Sequence, residues 1–132
     1  MTDCVFCKII AKDEIPSTEI YKDDTVYAFL DINPVNHGHV LVVPKIHYPK
    51  FEETPDAVVS HIFVKSKKLM CAIKQGMRAD YVAVAIVGTD VPHFHIHLVP
   101  RYHNDGLAGF WPTKKYDKKE MESAAEKIRG AL

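Results

Sequence analysis

The segment His93-Phe94-His95-Ile96-His97-Leu98-Val99 sets three of the chain's eight histidines at every second position. Successive side chains of a β-strand point to opposite faces, so Phe94, Ile96 and Leu98 are expected in the core and the three imidazoles on the other face. At ~3.3 Å per residue, neighbouring imidazoles stand about 7 Å apart and the outer two about 13 Å. Three ligands spread that far do not converge easily on one tetrahedral ion. They suit a groove that holds an elongated anion. A neutral imidazole is a good nucleophile toward phosphorus when a hydrogen bond to its other nitrogen fixes the tautomer. His95, with a partner on either side, suits that role. The bland alternative is a solvated strand face that happens to use histidine.

A second constellation is Cys4-Val5-Phe6-Cys7, whose Cys-x-x-Cys spacing is half of a zinc site. A redox role would need the pair at a helix start after a strand, and no strand precedes it. The alternative is two thiols packed beneath a helix. Cys71 falls inside a long helical pattern and reads as a bystander. His37, His61 and His103 have solvent exposure as their default.

The elements that must position these residues are legible in outline. Cys4–Lys12 reads as a short helix ended before Pro16. Thr18–Tyr21 and Thr25–Leu30 are strand-like, the latter rich in β-branched and aromatic residues. The turn formers of Asp31-Ile32-Asn33-Pro34-Val35-Asn36-His37-Gly38 reverse the chain, and the apolar run Val40–Val43 returns as a central strand stopped by Pro44. From Asp56 to Gln75, Val58, Val59, Ile62, Phe63, Leu69, Met70 and Ile73 follow helical spacing, with Thr54 or Asp56 as the expected cap and Gly76 at the end. Tyr81–Val87 and His93–Val99 are two further strands, and Lys118–Leu132 is a polar final helix. The expectation is one α+β domain over residues 1–132, with a five-stranded antiparallel sheet, one long helix and a short C-terminal helix.

Composition narrows the function. The chain has 132 residues, 47% of them hydrophobic, enough to build a core unaided. Seventeen Lys and Arg balance seventeen Asp and Glu, which leaves no electrostatic footprint for nucleic acid or an anionic membrane. There is no run of eighteen apolar residues and no signal-like N-terminus, and three cysteines form no disulfide pattern. A cytoplasmic protein is expected.

The strand His93 to Val99, followed by Pro100-Arg101, resembles the motif of the histidine triad (HIT) family of nucleotide hydrolases and transferases. The likeness extends over nearly the whole chain: Cys4 to Ile10, Glu14-Ile15-Pro16-Ser17, Ala28 to Pro34, Gly38 to Lys45, and Asp105-Gly106 to Trp111 are similar to the family's Hint branch. The resemblance implies the HIT-like fold. It implies that His95 attacks the α-phosphate of a nucleoside 5′-phosphoryl compound to form a nucleotidyl-histidine, with His97 and His39 contacting the phosphate. Asp31 matches the position that holds the ribose hydroxyls, with a turn cap as its alternative. Phe29 and Ile32 match the walls of the base pocket, with plain core as theirs. In relatives with the cysteine pair, a structural zinc takes residues matching Cys4, Cys7, His47 and His93; no organic cofactor is implied. The chain departs from the family in the loop before the triad. Thr89 stands where a Gln is usual, and its hydroxyl can still donate to phosphate. Asp90 stands where a Ser is usual, and it is expected to point away or cap the turn, since an inward carboxylate would repel the phosphate.

Three activities fit. The first is a phosphoramidase cleaving the P–N bond of a purine nucleoside 5′-phosphoramidate. The second is a dinucleoside polyphosphate hydrolase using the same nucleophile. The third is a nucleotide-binding module with vestigial catalysis. The resemblance also implies a homodimer with sheets joined edge to edge and Trp111 reaching toward the partner's site.

Overall fold

A computed structural model describes residues 3–11, 15–107 and 112–132. The expected roles of Trp111 and of Lys12, at the end of the first helix, lie outside them. The described elements are helix α1 (Val5–Ala11), strands β1 (Glu19–Lys22), β2 (Val26–Leu30) and β3 (Val40–Pro44), a 3₁₀ turn (Phe51–Glu53), helix α2 (Asp56–Gly76), strands β4 (Tyr81–Ala85) and β5 (Ile96–Arg101), and helix α3 (Lys118–Ala131). The strands form one five-stranded antiparallel sheet in the order β1-β2-β3-β5-β4.

The period of two along each central strand sorts its residues between two layers. Val26, Ala28, Val40, Val42, Ile96 and Leu98 face α2 and pack on Ile62, Leu69 and Ile73. Tyr27, Phe29, Leu41 and Val43 face the other way, onto Phe6 and Ile9 of α1. The sheet centre is therefore covered on both sides, and the histidine face is not a solvated one. His93 and His95 are buried beneath the N-terminal segment.

Two local expectations need correction, while Gly76 ends α2 as expected. Strand β5 starts at Ile96, not His93: Val91 to His93 form a bend after which the Phe94 N–H donates to the Tyr48 carbonyl (2.7 Å). Neither Thr54 nor Asp56 caps α2. The N-cap is Pro55, which has no side-chain cap bond, and the Thr54 hydroxyl instead donates to the Lys50 carbonyl (2.8 Å). Gly76 is the last helical residue, while the left-handed position that stops the helix is Arg78, at φ 52°. The Ala79 N–H then bonds the Lys74 carbonyl (3.0 Å) and the Arg78 N–H the Gln75 carbonyl (3.4 Å), the pair of a Schellman motif. A β-carbon at that φ is strained, so Arg78→Gly is expected to stabilise the fold by about 0.5–1 kcal/mol. The shift would be read from the urea midpoint; no change or a loss would contradict the strain.

Candidate functional site

The turn between β2 and β3 and the start of β5 bring the polar residues together. The register pairs Leu41 with His97 and Phe29 with Leu41, so His97 projects on the α1 side of the sheet. Phe6 of α1 stands edge-on to the rings of His93 (5.9 Å), His95 (5.0 Å) and Phe29 (5.5 Å). The rings of His95 and His97 are 4.9 Å apart, closer than backbone spacing alone implies. Phe6 is a part of the site that sequence reasoning did not single out. Its only signal was an aromatic residue between the two cysteines.

Hydrogen bonds assign the imidazole protons in turn. His39 Nδ1 accepts the Val35 N–H (3.0 Å), so its own proton sits on Nε2. That Nε2–H faces His97 Nδ1 at 3.0 Å, which makes Nδ1 the acceptor and leaves the His97 proton on Nε2. His95 Nδ1–H donates to the His93 carbonyl (2.7 Å), which leaves the lone pair of His95 on Nε2. Burial holds the pKa of both His39 and His97 below the usual histidine value, in keeping with neutral rings. Buried side-chain polar atoms without a hydrogen-bond partner among the described residues are Ser66 Oγ, His95 Nε2 and His97 Nε2. Two of these three are the neighbouring imidazole nitrogens, one a lone pair and the other an N–H. Leaving such groups unpaired costs about 1–3 kcal/mol each, and a ligand that accepts from one and bonds to the other recovers that cost.

Asp31 caps the turn, which is the alternative to its ribose reading. Oδ1 accepts the Asn33 N–H (2.9 Å) as a turn cap, and Oδ2 lies 3.7 Å from His39 Nε2. Beside it opens an apolar cleft of about 160 Å³, walled by α1 and including Phe29, Asp31, Ile32 and Leu41. Phe29 is buried and packs on Phe6 and Tyr27, so it is core as well as wall. Ile32 stands on the rim, 86% exposed. Asn36 braces this turn against the end of β5, donating to the Pro100 carbonyl (2.8 Å) and to Asp105 Oδ2 (3.2 Å). Arg101 pairs with the same carboxylate at 2.7 Å and holds it well below the usual carboxylate range.

In the loop before the triad, Asp90 meets the expectation of a turn cap, its carboxyl accepting from the Val91 N–H, but not that of an outward side chain. Thr89 is exposed. Asp90 does not turn away: its Oδ1 lies 3.3 Å from His95 Nε2, off the line of a hydrogen bond. Partial burial would raise its pKa, but the Val91 and Asp90 N–H groups and the nearby His95 and His97 outweigh it and keep the carboxyl below its ordinary value. His61 also departs from the default of simple exposure, since its Nε2 bonds Asp23 Oδ2 at 2.8 Å.

Cys4, Cys7, His47 and His93 offer one ligand atom each, all within 4.8 Å of one another. His93 Nδ1 lies 3.4 Å from Cys4 Sγ, 3.5 Å from Cys7 Sγ and 3.2 Å from His47 Nδ1; Cys7 Sγ lies 3.3 Å from His47 Nδ1. A zinc tetrahedron with Zn–S about 2.3 Å and Zn–N about 2.0–2.1 Å has S···N edges of about 3.5 Å and N···N edges of about 3.4 Å. These four distances match those edges, and the other two donor pairs lie within 4.8 Å. His93 Nε2–H donates to the Pro44 carbonyl (2.8 Å), so the lone pair on Nδ1 points at the other three. The residues present fit a closed, four-coordinate metal centre. Two other groups, Asp31/His39/His97 and Asp90/His95/His97, also lie within 4.8 Å, but the protons on His39 Nε2 and His97 Nε2 set them against metal ligation.

Comparison with known proteins agrees with this geometry. The family model of the HIT domain matches residues 12–104. Adenosine 5′-monophosphoramidase HNT1 of Saccharomyces cerevisiae is 38% identical, over 86% of this chain and 73% of that protein. The crystal structure of a HIT family member from Bacillus subtilis superposes with a TM-score of 0.87 at 34% identity, covering 99% of this chain and 98% of that one. A zinc-bound histidine triad protein from Mycobacterium smegmatis gives a TM-score of 0.76 at 30% identity, covering 98% of each chain.

Proposed function

Because the chain belongs to the HIT domain family of nucleotide hydrolases, we propose that it is a nucleoside phosphoramidase, hydrolysing purine nucleoside 5′-phosphoramidates through a covalent nucleotidyl-His95. The observation that carries the reading is the pair of unpartnered buried nitrogens, His95 Nε2 with its lone pair outward and His97 Nε2 with its proton outward. The apolar cleft takes the base, and Asp31 takes a ribose hydroxyl. His95 Nε2 attacks the α-phosphorus, the P–N bond breaks with its electron pair going to a nitrogen that has taken a proton from solvent, so that a neutral amine departs, and the Nδ1–H bond to the His93 carbonyl supports the charge gained by the ring. His97 Nε2–H donates to a phosphate oxygen as its charge develops, and His39 keeps that proton in place. Water then attacks the phosphorus, the His95 Nε2–P bond breaks with its electron pair returning to Nε2, the water's proton passes to solvent, and the nucleoside monophosphate is released.

Cys4, Cys7, His47 and His93 would hold a structural zinc that ties α1 to the sheet; no open position is left for chemistry at that centre. Residues 1–132 act as a single unit, without an organic cofactor. No helix among the described residues is long and apolar enough to cross a membrane, and the proposed setting is the cytoplasm. Strand β4 lies at the end of the sheet and exposes Tyr81 and Val84, with Ile86 and Val87 beyond it. A second copy pairing along that edge would cover them. Sedimentation is expected to give twice the chain mass, and a monomer at tens of micromolar would exclude the dimer.

The test of the activity is intact-mass analysis after rapid quenching with an adenosine 5′-phosphoramidate. The expected result is a transient adduct of one nucleoside monophosphate. Nucleotide binding with neither adduct nor product would replace this reading with that of a binding module.

A further inference from the structure

We infer that Asp90 is a specificity-determining residue, selecting substrates whose leaving group on the α-phosphorus is a basic amine and rejecting those that leave as an anion. The inference rests on the covalent reading above and names the substrate class within it.

The geometry is local to three side chains. Asp90 Oδ1 lies 3.3 Å from His95 Nε2, and ligand atoms of Asp90, His95 and His97 all fall within 4.8 Å of one another. A phosphorus poised about 3–3.5 Å from His95 Nε2 has its in-line leaving atom about 5 Å from that nitrogen. A carboxylate beside Nε2, on a side chain 55% exposed and held by the Val91 and Asp90 N–H groups, borders the space that atom would occupy. His97 Nε2–H faces the same space and serves the non-bridging oxygens. The one acidic group of the trio is thus left for the substituent that departs.

Charge then decides between substrates. The backbone N–H groups of Val91 and Asp90 favour the ionised carboxyl. A carboxylate there accepts a hydrogen bond from a leaving-group N–H and stabilises the form in which that nitrogen has taken a proton from solvent. Protonation before cleavage lets the P–N electron pair return to nitrogen and a neutral amine depart, while His95 Nε2 forms the new bond to phosphorus. The same carboxylate repels a sulfate or polyphosphate leaving group, whose charge grows as the bond breaks. A serine at this position would accept either class, having no charge with which to discriminate.

The experiment compares kcat/KM for an N-alkyl adenosine 5′-phosphoramidate and for adenosine 5′-phosphosulfate, using the unaltered protein, Asp90→Ser and Asp90→Asn. The expected result is an amine preference in the unaltered protein that falls tenfold or more in both variants, with activity on the phosphosulfate rising. A ratio that changes less than twofold while the adduct still forms, or a preference for the phosphosulfate from the outset, would overturn the inference and leave covalent catalysis standing. If the unaltered protein forms no adduct with either compound, covalent catalysis fails and the inference falls with it.

Discussion

His95→Ala is expected to lower turnover of an adenosine 5′-phosphoramidate by about four orders of magnitude or more, and to abolish the covalent adduct. Binding of the nucleoside monophosphate should change only a few-fold, because the cleft, Asp31 and the His97 N–H are untouched. The effect is large because no neighbour can stand in. His97 presents a proton, not a lone pair, and His39 has both nitrogens engaged by Val35 and His97. His39→Phe tests the same logic from a distance. Without the His39 Nε2–H, His97 is free to move its proton to Nδ1 and present a lone pair to the phosphate. A loss of about 10–100-fold in kcat with little change in binding is expected, the size seen when a group that orients another is removed. Single-turnover kinetics beside calorimetric nucleotide binding separates the two quantities. A His95→Ala protein keeping a tenth of its turnover would exclude His95 as the nucleophile.

How much of this was legible in the sequence depends on which atoms carry each interaction. The strict alternation from His93 to Val99 placed Phe94, Ile96 and Leu98 in the α2 core and the imidazoles on the opposite side, because period two follows from side-chain geometry alone. The five strands and the long helix were legible for the same reason. What could not be read is what the backbone supplies. The Val35 N–H, the His93 carbonyl and the Pro44 carbonyl set every tautomer that matters here, and none has a residue-type signature. The late start of β5 has a similar origin, in a backbone bond from Phe94 to a residue 46 positions earlier in the chain, Tyr48. Asp90 misled for another reason. Repulsion from a bound phosphate argues for an outward carboxylate, but the Val91 and Asp90 backbone N–H groups stabilise the charge where it sits. The Cys-x-x-Cys pair became informative only with His47 and His93, and the fold brings those together across more than forty residues.

Removal of the proposed structural zinc is the second large effect expected, and it falls on stability. Cys4 and Cys7 lie at the start of α1, a helix of seven residues that is too short to persist alone. Apart from Phe6, Ile9 and their apolar neighbours, four donors spaced as a tetrahedron would tie it to the sheet. Binding at a free zinc level a thousandfold above Kd adds about 4 kcal/mol to the folded state, which for a chain of this size corresponds to a Tm about 15 °C higher. Chelation should remove that increment, and the Cys4→Ser/Cys7→Ser variant should lack it and ignore both zinc and chelator. Elemental analysis of the untreated protein should find one zinc per chain. Activity should fall less steeply than stability. His93 is shared, its imidazole belonging to the tetrad and its carbonyl to His95, yet its Nε2–H bond to Pro44 would still hold the ring and hence the carbonyl near its place. A chelated protein unfolding within about 2 °C of the untreated one would show that packing alone holds α1, with the tetrahedral spacing of the four donors a consequence of that packing and not of a bound metal.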